Sequence, residues 1–175
     1  MALLSVGIHL ACANNLEYHR DEMLYFVQGM HPAAGYNSVP PVTGVIAWLM
    51  QNLFGYSVFA VRLFPALLGG ALILLTALIV RELGGSRYAA ILSSTGLLIS
   101  IFFQRAFFLF QPVHIEIFLW TLIIYLVARY INSRNAGLLF YIGIASGFAM
   151  LNKYLAGMLI SGLFVVALFS EYSNI

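Results

Sequence analysis

The run from Val58 to Val80 limits this chain more than any other feature: twenty-three residues in which only Arg62 is charged. As an α-helix it rises about 35 Å, enough to cross a hydrocarbon core of about 30 Å. Arg62 lies one turn inside the start of the run, where a long cationic side chain can snorkel to the interface. The rest of the chain agrees with a membrane setting. Of 175 residues 62% are hydrophobic and 8% charged, with mean hydropathy +0.96, whereas a soluble domain carries about 25% charged residues. A soluble enzyme, a nucleic-acid binder and a disordered tail are excluded on this ground. The formal net charge of +2 and the lack of a basic run give no sign of a nucleic-acid partner. Cys12 is the one cysteine; no intrachain disulfide can form, and its apolar surroundings suit inert packing.

Further spans are expected at Tyr88 to Phe103, Pro112 to Ala128, Leu138 to Leu151 and Tyr154 to Ser170. Joined as one helix, Leu138 to Ser170 would be roughly 50 Å long and would bury Lys153 at its midpoint, so a reversal at Asn152 and Lys153 is expected instead. Ala2 to Ala13 is only about 18 Å as a helix and lacks the basic start of a signal peptide, so it is read as a first span that has lost its beginning. Val42 to Phe54 is also too short to cross, and its Trp48 suits an interfacial helix. The fold class expected is all-α: a polytopic bundle of about five or six spans with interfacial helices in the first outer loop. Residues 1–175 form a single transmembrane domain in this reading, with that loop at about 14–57.

Arg81, Arg87, Arg129 and Arg134 flank two short connections that share a side if the spans alternate, and the positive-inside rule puts that side in the cytoplasm. The opposite, outer boundary then receives Glu17, Asp21, Glu22 and Glu116, leaving Glu82 and Glu171 inside. Carboxylates gathered at one boundary from distant parts of the chain mark a candidate site. In EYHRDEMLYF, helical spacing would put Tyr18, Asp21, Glu22 and Tyr25 on one face, two carboxylates framed by two phenols. Such a group, partly desolvated or beside a second carboxylate, is suited to general-base work. A solvated interfacial helix explains the same pattern. The following GYNSVPPV reads as a rigid re-entry loop, its prolines forcing an extended approach to the Val42 helix.

In FQPVHIEIFLW, Pro112 suits a first helical turn and Glu116 follows one turn later. His114 and Glu116 are two apart and point to different faces, a poor metal pair. A divalent metal shared by Glu116 and Asp21 is compatible with the residue types, without support from spacing. His9 and His31 read as packing or interfacial residues. Arg20, Arg105 and Lys153 are cations at the outer boundary; each can snorkel to headgroups or, in a cavity, clamp a phosphate.

The order HRDE, YF, GY, PP, WL and LFG, then VRLFPALLGGALILLTALIVRELGG, FQPVHIE before WTL, and GFAMLNKY resembles the N-terminal membrane region of dolichyl-phosphate-mannose protein mannosyltransferase-like enzymes. These are GT-C glycosyltransferases that include the aminoarabinose transferases. The resemblance covers essentially the whole chain. It implies a cell-envelope enzyme of the plasma, or bacterial inner, membrane that transfers a sugar from a polyprenyl-phosphate donor to a protein, lipid or glycan at the outer face. It also implies that Asp21 is the general base, with Glu22 its acidic neighbour. Glu116 stands where many relatives have Asp, and Lys153 matches the basic residue after the GLxxLxK pattern. Arg20, Arg105, Lys153 and Tyr25 are the expected substrate contacts. Relatives are more than twice as long, so a truncated enzyme is expected. A transporter or channel subunit, or a non-catalytic membrane scaffold, is the alternative.

Overall fold

The computed structural model describes residues 1–13 and 17–172, the last three by backbone alone. The expected outer loop therefore begins outside the described residues, and the side chain of Glu171 also lies outside them. Among the described residues all regular structure is helical: α1 (Ala2–Ala13), α2 (Arg20–Gln28), α3 (Val42–Phe54), α4 (Val58–Glu82), α5 (Arg87–Ile99), α6 (Ile101–Phe108), α7 (Pro112–Ser133), α8 (Gly137–Asn152) and α9 (Ala156–Tyr172). By length and apolar composition α4 and α7 can each cross a membrane, and α5 with α6 makes a third crossing if the bent pair counts as one.

The longest helix, α4, is the centre of the bundle and packs against α1, α3, α5, α6 and α7; α7 in turn carries α8 and α9, and α2 lies on α3. Ser57 caps α4 through a 3.1 Å bond from the Ala60 amide, filling one of the orphan donors at a helix start. Gly84, at φ 80, lets the chain turn away after α4. Gly70 makes the approach of α1 possible, since a Cβ there would lie 2.7 Å from the Val6 side chain and 3.3 Å from the Ala2 carbonyl oxygen. Leu72, Ile73, Phe103 and Phe107 form one apolar cluster between α4 and α6. Ile123, Ala145, Ala149 and Ala156 form another between α7, α8 and α9. Many other large apolar side chains, such as Leu74, Ile91, Phe140 and Phe164, point out of the bundle; they suit a lipid-facing surface and not water.

Two expectations are corrected. Tyr88 to Phe103 is not one straight helix: it breaks at Ser100, and α5 and α6 meet at 67°. Ser100 leaves the helical conformation and caps α6 through the Phe103 amide, while the Gln104 side-chain amide donates to the Leu98 carbonyl freed by the break. Nor does Arg62 snorkel; it is 2% exposed, inside the protein. The reversal expected near Lys153 is present, since α8 ends at Asn152 and Lys153 is extended, at φ −160 and ψ 130.

Candidate functional site

The segment before α3 folds back on the bundle because Glu22 has a partner inside it. His19 precedes α2 in an extended conformation and caps it, its Nδ1 accepting from the Asp21 amide at 3.3 Å. The Glu22 carboxylate accepts the His19 amide at 2.9 Å. The two acids in this turn also suit the positive end of the helix. From there Glu22, which is 0% exposed, reaches α4. Its Oε2 accepts from Arg62 Nη2 at 2.9 Å and its Oε1 from Arg62 Nε at 3.2 Å, a two-pronged ion pair.

Burying such a pair costs several kcal/mol per ion unless further hydrogen bonds satisfy what the pair leaves open. Here they do. The Phe110 amide donates to Glu22 Oε1 at 3.3 Å. Arg62 also donates to the Ala13 carbonyl and, at 2.8 Å, to that of Glu17, and its guanidinium carbon lies 4.5 Å from the centre of the Phe108 ring. One guanidinium therefore fastens the end of α1, the start of α2 and the segment after α6 to the beginning of α4.

This fastening puts Asp21 beside the segment after α6. Its carboxylate remains accessible, with the side chain 37% exposed, and Gln111 donates to its Oδ2 at 3.1 Å. His19 Nδ1 lies 3.8 Å from the same oxygen, and Arg20 Nε lies 3.6 Å from Oδ1. Asp21 and Glu22 thus do different things despite adjacency, one facing out and the other locked inside. Tyr18 precedes α2 and does not share a helical face with them.

The second half of the site comes from α7 and the α8–α9 turn. Asn152 is fully buried; its side-chain amide donates to the Pro112 carbonyl at 3.0 Å and its Oδ1 accepts from Thr43 at 3.3 Å. Three helices are pinned by that one side chain, so the next residue, Lys153, is delivered to Glu116, one turn into α7. Lys153 Nζ donates to Glu116 Oε2 at 3.0 Å, while Glu116 Oε1 is buried without a hydrogen-bond partner among the described residues. Tyr25 joins the halves: its phenol is held above the ordinary range by burial and then by the Asp21 charge, with the Lys153 charge opposing. The structure therefore brings Asp21, Gln111, Tyr25, Lys153 and Glu116 to one end of the bundle. It leaves Arg20 94% exposed, and Arg105 faces a separate cleft between α1 and α6.

A groove of about 440 Å³ runs between α3, α4, α7 and α8. Apolar side chains line it, including Val45, Phe64, Phe118 and Phe148. Ile115 and Leu151, neighbours in sequence of Glu116 and Asn152, are among its lining residues. Among the described residues no three His, Cys, Asp or Glu side chains cluster as metal ligands.

Arg62, Gln111 and Asn152 were not singled out from the sequence as site residues. A signal existed for Arg62, because a charge one turn inside a span is expensive without a partner and the segment EYHRDE holds more acids than it has arginines to match them. For Gln111 and Asn152 there was none, since an uncharged amide at the end of an apolar run looks like any boundary residue.

Residues 38–175 match the dolichyl-phosphate-mannose-protein mannosyltransferase family. The chain belongs to that family. Glu116 and Lys153 lie within the matched segment, and Asp21 and Glu22 precede it. An uncharacterized protein of Aquifex aeolicus is 35% identical over 122 residues, which cover 69% of this chain and 24% of that protein. The chain thus spans about a quarter of the length of this relative. No solved structure matches it. Together with the apolar helices, membership makes it an integral membrane protein of this mannosyltransferase family.

Proposed function

We propose that the site transfers a sugar from a polyprenyl-phosphate donor to a hydroxyl or phosphate of a lipid, glycan or protein at the outer face of the membrane, as part of a single transmembrane domain. The observation that carries this reading is the meeting, at one end of the bundle, of an accessible carboxylate and a cation, in a fold that also holds an apolar groove. Asp21 acts as the base: it takes the acceptor proton while the acceptor oxygen bonds to the anomeric carbon. The bond from that carbon to the phosphate oxygen breaks, and the polyprenyl phosphate leaves with the electron pair. Lys153 stabilises the departing phosphate, with the Tyr25 phenol as a further donor, and the chain of the carrier lies in the groove. Glu116 holds Lys153 in place until the phosphate competes for it. Glu22 contributes by position, keeping the Asp21 turn against α4.

The test is transfer of labelled sugar from a polyprenyl-phosphate donor by membranes containing the full chain. Asp21→Asn should lower kcat by about a hundredfold or more with little change in donor KM, the order of effect of losing a general base, whereas Lys153→Gln should raise donor KM as well. Undiminished transfer by Asp21→Asn would sink the assignment.

A further inference from the structure

A second cleft, of about 690 Å³, opens between α1 and α6 and reaches the residues that precede α2, Glu17 to His19. Its composition differs from that of the apolar groove. Ile8, Ile101 and Phe108 are among its lining residues, and Ile8 and Ile101 are exposed. Arg105, Glu17 and His19 line it as well. Arg62 also borders the cleft, but its charge is matched by Glu22. Arg105 is exposed and makes no ion pair among the described residues. A cleft with exposed apolar side chains and, beside the Glu17 carboxylate, a guanidinium that makes no ion pair among the described residues has the form of a lipid site and not of a water-soluble ligand's pocket. His19 links it to the reaction site, because its Nδ1 is 3.8 Å from Asp21 Oδ2.

We propose that this cleft seats a membrane lipid with a phosphate headgroup, the headgroup on Arg105 and an acyl chain along Ile8, Ile101 and Phe108, and that this lipid is the acceptor. The acceptor role rests on the reading of Asp21 as base; the lipid site does not. The two lipids then approach Asp21 separately, the donor past Lys153 and the acceptor past His19.

Lipid binding is read by fluorescence quenching of the full chain reconstituted in phosphatidylcholine bilayers. Trp48 and Trp120 are replaced by Phe, and a single reporter is placed in the cleft as Phe108→Trp or, as a second position, Ile101→Trp. Chain-brominated phosphatidic acid should quench the reporter more than brominated phosphatidylcholine at equal mole fraction, and soluble glycerol phosphate should not displace it. Arg105→Gln should weaken the excess about tenfold, the order expected for losing charge-assisted hydrogen bonds, while Arg105→Lys should retain most of it and Lys153→Gln all of it. No excess quenching, an excess untouched by Arg105→Gln, or equal displacement by glycerol phosphate would overturn the site. Asp21→Asn should leave quenching unchanged. If that variant still transfers sugar, the base reading fails while the lipid site stands.

Discussion

Adjacent acids with opposite fates are the main result at the residue scale. Glu22 is spent on holding Arg62, and so Asp21 is free to face outward. The energetic consequence is sharp, because removing one member of a buried pair strands the other in a medium that cannot solvate it. Glu22→Ala and Arg62→Ala should each destabilise the protein by about 3–5 kcal/mol. The double variant should cost less than their sum, with a coupling of about 0.5–3 kcal/mol, in a thermal-unfolding cycle in detergent. Additive losses would mean that the pair is incidental. The pair was hidden in the sequence for a physical reason: Glu22 and Arg62 are forty positions apart, and only a fold makes a snorkelling arginine into a buried one.

Tyr25 provides a second residue-scale measurement. Its raised titration comes from burial first and Asp21 second, with Lys153 pulling the other way. A phenol whose folded value exceeds its unfolded one binds more protons folded than unfolded as the pH passes the ordinary phenol value of 10.0. The stability it contributes is therefore complete below that value and is lost as pH rises through the folded one. In carbon-13 tyrosine spectra, Asp21→Asn should lower the Tyr25 midpoint and Lys153→Gln should raise it. The opposite order would separate Tyr25 from the pair it is placed between.

Among the elements, the clearest dependence is that of α2 on α3. Gly29, just after α2, lies so close to α3 that a Cβ would fall 2.6 Å from the Trp48 amide nitrogen and 2.7 Å from the Ala47 carbonyl carbon. Backbone cannot yield as a side chain tip can. Nearby, the Gln51 side-chain amide donates to the Phe26 carbonyl, tying the same pair of helices. Gly29→Ala should therefore separate α2 from α3 and lower the unfolding temperature by several degrees, the usual yield of about 1–3 kcal/mol of overpacking. Gly35→Ala, where a Cβ would meet nothing within 4 Å, is the control. An unchanged unfolding temperature for Gly29→Ala would show that the contact is not tight. The helix limits themselves were largely legible: Ala2–Ala13 and Val42–Phe54 begin and end where the sequence places them, the second between Pro40 with Pro41 and Gly55. The break at Ser100 was not, since IFFQRAFF continues the apolar run and a lone serine, cap though it is, carries little weight in a span.

For the whole molecule, contacts at the two ends of the bundle fix which connections share a side. At one end Glu22 meets Phe110 and Asp21 meets Gln111, so the bent α5–α6 pair returns the chain to the level where α4 began; Lys153 on Glu116 brings α8 back to the start of α7. At the other end the Asn132 side-chain amide donates to the Glu82 carbonyl and carboxylate, at 2.6 and 3.1 Å, joining the ends of α7 and α4. Arg81, Arg87, Arg129 and Arg134 border the connections at that second end. The sidedness that the sequence suggested through alternation thus has contacts behind it, while the compartment each end faces rests on the charge bias alone. That bias makes a definite prediction. With Cys12 replaced by Ser, Gly35→Cys and Tyr154→Cys should react with a membrane-impermeant maleimide on intact cells, and Leu83→Cys and Asn135→Cys only after permeabilisation. Reversal of all four would keep the bundle and turn it over, placing Asp21 and Lys153 in the cytoplasm and removing the outer-face donor from consideration. A mixed pattern would instead deny that α5 and α6 cross together, because Gly35 and Tyr154 share a side only if that bent pair carries the chain across.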